Sequence, residues 1–347
     1  MILLTLETTC DETAAAIVDD RLQVLSSVVA SQAKLHEIYK GVVPEIAARA
    51  HVERILPVID ETLKAADLTL DDIDAIAVAN TPGLSGSLLV GLTAAKTLCF
   101  AKNIPLIAIN HLHAHVYACQ FASESPVYPC VGLVVSGGHT HLYHYESAIK
   151  NKFLGGTIDD AAGEAFDKVA SMLGLPYPGG PAISKVALDG DAAAFKFPRS
   201  FLKEDRIAFS FSGLKTAVRY AITGPGKFEL DSAAIPKDQV ANLAASFQQA
   251  VVDCLVAKSV QAVEQCAAAG APKRLCVGGG VAANRVFRDQ LAKECEAKGI
   301  ELYFAAMEHC TDNAVMGAIA VERFKAGLFE DLNLDILPGL IREPKAG

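Results

Sequence analysis

Near the start of the chain, apolar residues form three short runs that are separated by polar turns. The runs are Ile2–Leu6, Ala14–Val18 and Val24–Val29. Short apolar runs bounded by turn residues are typical of β-strands, so the pattern predicts a three-stranded antiparallel meander. Helical spacing of the apolar residues then predicts a helix from Pro44 to about Ala66, with the proline in its first turn.

Strands and helices alternate after this first helix. Two mostly apolar runs, Ile73–Ala79 and Leu106–Ile109, predict buried strands. Between them, Thr81–Ser87 has the composition of a loop and Leu88–Lys102 that of a helix. Each predicted strand is therefore followed by a segment long enough to cross back over a sheet.

The same order of elements recurs in the second half of the chain. A second set of three strands is predicted at Val131–Val135, His141–Tyr145 and Lys152–Ile158, with a glycine-rich turn after the first of them. Two later strands, Leu275–Val277 and Glu301–Phe304, each precede a loop and then a helix. The first of these helices is predicted to begin at about residue 282, after three consecutive glycines.

A unit of strands and helices that occurs twice predicts an α/β fold with two related lobes around a central cleft. Open α/β sheets bind ligands at the loop ends of their strands, so the cleft is the expected site. We expect an N-terminal lobe at residues 1–128 and a C-terminal lobe at residues 129–347. The last helix is expected to pack back onto the N-terminal lobe.

Composition narrows the class of protein. The 347 residues include 31 basic and 40 acidic ones, which gives a net charge of −9. A nonspecific nucleic-acid coat protein would be basic, whereas a specific RNA enzyme needs only a positive contact face. The nine cysteines include no CxxC pair and no leader or membrane-spanning run is evident, so reduced thiols in a cytoplasmic protein are expected.

The stretch His111-Leu112-His113-Ala114-His115 directly follows a predicted strand. If a helix begins here, His111 and His115 share one face and can hold one transition metal, while His113 points elsewhere. The alternative is a polar helix start with surface histidines. The sequence is not HExxH, so the general base of the zinc proteases is missing.

A metal would need a further ligand, and Asp312 is one candidate. It lies in His309-Cys310-Thr311-Asp312-Asn313, between a strand and a helix, where aspartate is also a good N-cap. His309 and Cys310 compete with it as ligands, and spacing alone does not decide among them.

Three glycine-rich loops lie beside predicted strand ends or helix starts. They are Ser136–Thr140, Pro178–Pro181 and Gly278–Gly280, the last followed by Asn284 at a helix start. Glycines allow close approach of the backbone to a ligand, and N–H groups at a helix start suit phosphate. The loops predict a nucleotide-like ligand, although each is also compatible with a plain turn and no Walker-type GKS is present.

The segment Asp159–Lys168 (DDAAGEAFDK) is unusually acidic for the start of a helix. Acidic groups in the first turn complement the helix dipole, which is one explanation. The other is that a carboxylate such as Asp167 holds ligand hydroxyls or an ammonium group. Ser210–Thr216 is typical of a capped helix start.

These motifs together resemble a known family. The block Glu7–Thr13 (ETTCDET) resembles the ETSCDET sequence of the TsaD family of tRNA adenosine threonylcarbamoyltransferases, formerly labelled glycoproteases. The resemblance extends from Met1 to about Phe324, and its SGGHT and DDAAGEAFDK forms are similar to the bacterial branch. Further blocks in the family order are Gly41–Ala47, His111–His115, Val135–Thr140, Asp159–Lys168, Phe209–Thr216 and Cys310–Asn313. His113 and Ala114 depart from the usual Glu-Gly, which leaves the role of His113 open.

The resemblance implies a duplicated actin-like ATPase fold, also described as ribonuclease H-like. It implies one divalent metal, Fe²⁺ by family habit with Zn²⁺ as the alternative, held by His111, His115 and Asp312. The donor, threonylcarbamoyl-adenylate, would lie along Val134, Val135, Ser136, Gly137, Gly138, Asp167, Gly180 and Asn284. The acceptor would be N6 of the adenosine beside the anticodon in tRNAs that read ANN codons.

Partners are implied in the same way. TsaD proteins of bacteria work with the paralogue TsaB and the ATPase TsaE, while TsaC makes the donor. An apolar helical face within Ile46–Leu63 is a candidate surface for TsaB, although core packing explains most of its residues. No residue identifies itself as a general base. A kinase of the same fold, a metalloprotease and a non-catalytic scaffold are the rival hypotheses.

Overall fold

The structure, a computed structural model, describes residues 1–39, 41–224 and 232–339. The strands are β1 (Ile2–Glu7), β2 (Glu12–Asp19), β3 (Val24–Ser31), β4 (Ala75–Thr81), β5 (Leu106–Asn110), β6 (Cys130–Val135), β7 (Thr140–Ser147), β8 (Lys150–Thr157), β9 (Ala208–Phe209), β10 (Arg274–Gly278) and β11 (Glu301–Phe304). The α-helices are α1 (Ala33–His36), α2 (Pro44–Ala65), α3 (Ser85–Lys102), α4 (His111–Tyr117), α5 (Ala162–Met172), α6 (Gly179–Val186), α7 (Ser212–Thr223), α8 (Lys237–Ala268), α9 (Arg285–Lys298) and α10 (Ala320–Lys325).

The first five strands form one sheet in the order β3-β2-β1-β4-β5. The predicted meander is confirmed, because β1 pairs antiparallel with β2 and β2 with β3. β4 joins the other edge of β1 in parallel, and β5 joins β4 in parallel. Parallel pairing requires a crossover, which α2 and α3 supply.

The second sheet repeats this order with different strands. Its order is β11-β10-β6-β7-β8-β9. β6, β7 and β8 form an antiparallel meander, and β10 and β11 add to the free edge of β6 in parallel. The predicted duplication is confirmed, with the short β9 as an addition to the second copy.

Contacts divide the chain into two compact units. Unit 1 contains Met1–Phe121 and the chain from Ala306 onward, and unit 2 contains Ala122–Ala305. The second unit is thus inserted into the first along the sequence. The division into residues 1–128 and 129–347 stays a prediction about domains, and α10 packs within unit 1 against β5 and β1.

The core of unit 1 shows why its sequence folds in this way. Helix α2 begins with Pro44 at its first position and turns one apolar face towards the sheet. Ile55, Val58, Ile59 and Leu63 of that face are buried in one cluster with strand residues. Most of the apolar face predicted within Ile46–Leu63 is therefore core.

Some boundaries differ from the predicted ones. α3 begins at Ser85, three residues before the predicted start at Leu88. Ser85, Gly86 and Ser87 therefore belong to the helix and not to the loop before it. After the three glycines, a short 3₁₀ turn (Gly280–Ala283) precedes α9, which begins only at Arg285. Asn284 lies between them because it caps the helix.

The longest helix, α8, has no counterpart among the predicted elements. Among the described helices it alone is long and apolar enough to cross a membrane by length and composition, with 67% of its apolar window buried inside the fold. Burial on this scale is typical of the core helix of a globular protein. All nine cysteines are unpaired in the structure.

Candidate metal centre and glycine-rich loops

Helix α4 begins where the chain leaves β5, because Asn110 caps it. The Asn110 Oδ1 accepts from the backbone N–H groups of Leu112 (2.9 Å) and His113 (3.4 Å). His111 and His115 are therefore one turn apart on a common face, as predicted for residues at this spacing. Their ring centroids lie 4.6 Å apart at an interplanar angle of 75°.

Asp312 lies opposite these two rings. Its Oδ1 is 3.2 Å from Nε2 of His115 and 3.6 Å from Nε2 of His111. The alternative that Asp312 is an N-cap is wrong, because the neighbouring Asn313 accepts the backbone N–H of Met316 at 3.2 Å. Asp312 is thus directed at the histidines while Asn313 organises the following 3₁₀ turn.

The three side chains form a group that fits a transition metal. One ligand atom from each lies within 4.8 Å of the others, and both histidines are buried. Nδ1 of His115 has no hydrogen-bond partner among the described residues. Two imidazoles and a carboxylate are the donor set of many divalent metal sites. Within the described part of the chain, this group does not include His113, His309 or Cys310.

Charge around the site favours a cation. Burial lowers the pKa of His111, but the negative charges of Glu7 and Asp312 outweigh burial and raise the pKa to about 9. Burial and the neighbouring His111 lower the pKa of His115. The two rings thus differ in their affinity for a proton, because only His111 contacts the buried Glu7, whose Oε2 lies 3.0 Å from Nδ1.

The loop after β1 adds further carboxylates to this region. Burial, together with the negative charges of Asp312 and Asp11, raises the pKa of Glu12 to about 9. Burial and Asp11 also raise the pKa of the Cys10 thiol. Carboxylates crowded in this way are relieved by a bound cation. The sequence did not single out Glu7 or Glu12 beyond their place in the family block, because their contacts join residues far apart in the chain.

In unit 2, the loop Ser136–Thr140 forms a closed turn at the end of β6. The Ser136 N–H donates to the His139 carbonyl (2.8 Å), and the His139 N–H donates to the Ser136 hydroxyl (3.2 Å). Gly163, at the start of α5, packs so closely that an added Cβ would lie 2.6 Å from the Ser136 carbonyl oxygen. The preceding Val134 and Val135 are buried in β6. Apart from Gly137 and its two chain neighbours, no atom of the described residues lies within 4 Å of a Cβ built at this glycine.

The loop after β10 has two different functions for its residues. Gly279 has φ +101°, and an added Cβ would lie 2.4 Å from the Val135 carbonyl oxygen, so only glycine fits there. Asn284 caps α9 through the Phe287 N–H (3.0 Å). Its amide donates to Oε1 of Gln248 (2.8 Å) and to the Ser184 hydroxyl. Asn284 therefore links α6, α8 and α9.

Asp167 and Gly180 lie close together in unit 2. Oδ1 of Asp167 accepts the backbone N–H of Gly179 at 2.7 Å, which joins α5 to the first residue of α6. At Gly180, the next residue, an added Cβ would have no atom of the described residues within 4 Å beyond its chain neighbours and the backbone of its own helix. The start of α6 thus has an open position beside a carboxylate.

The acidic segment before α5 is used largely within the fold. Asp159 accepts from the Ser210 hydroxyl (2.6 Å) and from the N–H groups of Phe211 (2.9 Å) and Ser212 (3.3 Å), so it caps α7. The Asp160 carboxylate contacts the ammonium groups of Lys168 (2.9 Å) and Lys215 (2.7 Å). The family blocks at 159–168 and 209–216 therefore fasten each other.

Comparison with known proteins decides the family. A family model described as tRNA N6-adenosine threonylcarbamoyltransferase matches residues 23–319. A relative of that name from Rhodopirellula baltica is 54% identical over 98% of this chain and 97% of its own length. One from Geobacter sulfurreducens is 50% identical over 92% of this chain and 90% of its own length. The chain belongs to the tRNA N6-adenosine threonylcarbamoyltransferase family.

Solved structures show the fold that this threonylcarbamoyltransferase family member adopts. HypF in a phosphate- and nucleotide-bound form is 13% identical, with a TM-score of 0.61 over 95% of this chain and 56% of that one. Component A of (R)-2-hydroxyglutaryl-CoA dehydratase from Acidaminococcus fermentans is 14% identical, with a TM-score of 0.53 over 94% of this chain and 99% of that one. Both have the actin-like ATPase fold, so the predicted fold class is confirmed.

Membership of the threonylcarbamoyltransferase family also separates the rival hypotheses. The curated relatives are named as threonylcarbamoyltransferases of tRNA, which disfavours the metalloprotease, the kinase and the non-catalytic scaffold. The structure adds that the three residues predicted as metal ligands meet in unit 1. The residues predicted to bind the donor all belong to unit 2.

Proposed function

We propose that this chain transfers the threonylcarbamoyl group from threonylcarbamoyl-adenylate to N6 of the adenosine beside the anticodon in tRNAs that read ANN codons. The match to the family over nearly the whole chain supports transfer to tRNA. The observation that carries the chemical part of the proposal is the meeting of His111, His115 and Asp312 in the interior of unit 1.

The proposed metal site holds one divalent ion, for which Fe²⁺ is favoured and Zn²⁺ is the alternative. His111 and His115 would supply Nε2 and Asp312 a carboxylate oxygen. When bound, such an ion supplies Lewis acidity towards oxygens of the carbamoyl group or of the donor. The protein's own contribution is to keep the two imidazoles buried and oriented, which Asn110 and Glu7 support through their hydrogen bonds.

The proposed donor site uses the glycine-rich loops of unit 2. Val134, Val135 and Ser136 would line the site, and the backbone N–H groups of Gly137, Gly138 and Gly180 would hold the phosphate and the carbonyl oxygen, where charge grows during transfer. Asp167, Gly180 and Asn284 complete the set. The open positions at Gly137 and Gly180 support this proposal, because a ligand can approach their backbones closely. Transfer of the threonylcarbamoyl group releases AMP, which is a good leaving group, so no covalent enzyme intermediate is required. No general base is assigned.

Partners form the outer part of the proposal. TsaB is expected to pack on α2 in a cytoplasmic assembly, with TsaE as the ATPase and TsaC as the source of the donor. Val52 and Leu56 of α2 are 64% and 62% exposed, although most of the apolar residues of this helix are core. Exposed apolar side chains one turn apart favour a helical partner.

The test combines cells and purified protein. Transfer RNA from cells depleted of the protein is analysed for threonylcarbamoyladenosine by nucleoside mass spectrometry, after complementation with wild type, His111→Ala or His113→Ala. We expect wild type and His113→Ala to restore the nucleoside, because His113 lies on the same helix but outside the ligand group. His111→Ala is expected to lose the bound metal and the nucleoside together.

Two outcomes would contradict the proposal at different points. Persistence of the nucleoside after depletion, with no second gene copy, would overturn the transferase assignment for this chain. A His111→Ala protein that keeps its metal and restores the nucleoside would leave transfer intact and overturn the metal site.

A further inference from the structure

Glu7 is a buried carboxylate at the end of β1, where the strand meets the proposed metal site. Its side chain is only 3% exposed. Oε1 accepts the backbone N–H of Thr9 at 2.6 Å, and Oε2 lies 3.0 Å from Nδ1 of His111. One carboxylate therefore contacts both the backbone of the loop, at Thr9, and the Nδ1 edge of the His111 ring.

Burial of this charge calls for an explanation. A buried carboxylate is strongly destabilising unless it is paired and hydrogen-bonded. Among the described residues, the one ion-pair partner of Glu7 is His111, and no lysine or arginine is paired with it. An apolar side chain could pack in the same place but would leave the Thr9 N–H and His111 Nδ1 without this acceptor, so hydrogen bonding and not packing accounts for Glu7.

The two histidines differ in how they are held. His111 Nδ1 faces the Glu7 carboxylate, with the Thr9 hydroxyl also 3.3 Å away. A carboxylate only accepts, so Nδ1 carries a hydrogen, and Nε2 is the nitrogen that faces Asp312. His115 is fully buried and its Nδ1 has no hydrogen-bond partner within the described ranges. His115 is thus contacted by a carboxylate only at Nε2, by Asp312, whereas His111 has a carboxylate at Nδ1 as well.

We infer that Glu7 is the positioning carboxylate of the metal site, which fixes the His111 tautomer and tightens binding of a divalent ion at Nε2. This inference rests on the proposed function, because it assumes that the group of His111, His115 and Asp312 binds metal. A carboxylate on the far nitrogen of a ligating imidazole fixes the ring and increases its basicity, and losing it typically weakens binding 10- to 100-fold.

The test measures metal affinity directly. Metal-free wild type, Glu7→Gln and Thr9→Val are titrated with Co²⁺, and binding is followed by calorimetry and by the visible absorption of the Co²⁺ site. Glu7→Gln keeps the length of the side chain and one acceptor oxygen but removes the charge. We expect its dissociation constant to rise about 10- to 100-fold with a shifted Co²⁺ spectrum. Thr9→Val, which removes only the hydroxyl beside Nδ1, is expected to change affinity less than about 3-fold.

The outcomes separate the inference from the function on which it rests. No Co²⁺ binding by wild type would overturn the proposed metal site. Wild-type affinity in Glu7→Gln, or an equal loss in Thr9→Val, would overturn the role of Glu7 alone. Thermal unfolding of the metal-free proteins is the folding control, and if Glu7→Gln does not fold, Glu7→Asp replaces it. Glu7→Asp keeps the charge but is one methylene too short, so it is expected to weaken binding as well.

Discussion

At the scale of single residues, Asp312 and its neighbour Asn313 have different contacts. Asn313 accepts the N–H of Met316 and so organises the turn, which leaves Asp312 directed at the two histidines. The sequence could not show this division, because either residue is a good cap at this position. Spacing did suffice for His111 and His115, because a single helical turn determines which side chains share a face.

Gly180 offers a test of the donor site at this scale. We expect Gly180→Ala to raise the KM for threonylcarbamoyl-adenylate at least 10-fold, because the methyl group would occupy space that the ligand needs. Stability should be unchanged or slightly higher, since no protein atom lies within 4 Å of the added Cβ and alanine favours a helix. Steady-state kinetics and thermal unfolding measure the two effects.

Gly213 provides the matched control for this substitution. It is also the second residue of a helix, α7, and an added Cβ there meets nothing within 4 Å. Gly213→Ala should leave both KM and stability near wild type. Equal kinetics for the two variants would remove Gly180 from the donor site.

At the scale of elements, a buried chain of hydrogen bonds joins α1 and α2 to the loop after β1. The Val43 N–H donates to His36 Nδ1 (3.3 Å), and His36 Nε2 donates to Gln32 Oε1 (3.3 Å). The Gln32 amide donates to His51 Nδ1 (3.4 Å), and His51 Nε2 donates to the Cys10 carbonyl (3.0 Å). Each residue in this series donates a hydrogen bond to the next one. Both histidines, His36 and His51, therefore have a defined tautomer.

Breaking this series of hydrogen bonds at Gln32 should destabilise the protein. In Gln32→Leu, the His36 Nε2–H loses its acceptor in a fully buried place, whereas His51 keeps the Thr13 hydroxyl at 2.7 Å. We expect the free energy of unfolding to fall by about 1–3 kcal/mol, measured by urea denaturation. The exposed Gln23→Leu should change it by less than about 0.5 kcal/mol. Equal free energies of unfolding for the two variants would show that this series of hydrogen bonds contributes nothing to stability.

The buried His141 of β7 should make the stability of the protein depend on pH. Burial lowers the pKa of His141 to about 4, whereas an exposed histidine in the unfolded chain titrates near 6.5. Between these values the unfolded state binds a proton that the folded state does not. Stability is therefore present above pH 6.5 and lost as the pH falls towards 4, by about 3 kcal/mol from this group.

The variant His141→Asn isolates this contribution. Asparagine does not titrate, and its carbonyl oxygen replaces the ring Nδ1 that lies 3.1 Å from the Tyr143 hydroxyl. Urea unfolding at pH 7 and pH 5 should show a smaller loss on acidification in the variant than in wild type. The same loss in both proteins would exclude His141 as a source of the acid sensitivity.

The sequence predicted strands well where a short apolar run is bounded by turn residues, as in β1 and β2. It predicted α2 well because one face of that helix is apolar and the other polar. It failed for α8, a long helix that is rich in alanine and buried around most of its circumference, so that its apolar residues show no single face. Contacts such as Glu7 with His111 or Asp159 with α7 depend on residues brought together only by the fold.

At the scale of the whole molecule, unit 1 is built from two separate stretches of chain. His111 and His115 belong to the first stretch and Asp312 to the second. Other bonds join the same stretches, such as that from the Thr5 hydroxyl to the Ala314 carbonyl (2.7 Å). A bound metal would add a cross-link between the beginning and the end of the sequence.

Metal removal should therefore reduce stability. A ligand that binds only the folded state adds about 2.7 kcal/mol at a free concentration 100 times its dissociation constant. We expect Zn²⁺ or Co²⁺ to raise the midpoint of thermal unfolding of metal-free wild type, and a chelator to reverse the change. Asp312→Ala should show no such increase. An increase of equal size in that variant would place the stabilising ion elsewhere.

The interrupted path of unit 1 has a consequence for protein synthesis. A ribosome makes both histidines early, then the whole of unit 2, and only afterwards Asp312. A nascent or prematurely terminated chain therefore carries two imidazoles without their carboxylate and without the strand contacts that the last segment supplies to β1 and β5. The complete group of three side chains therefore exists only after Asp312 has been synthesised and the last segment has joined unit 1.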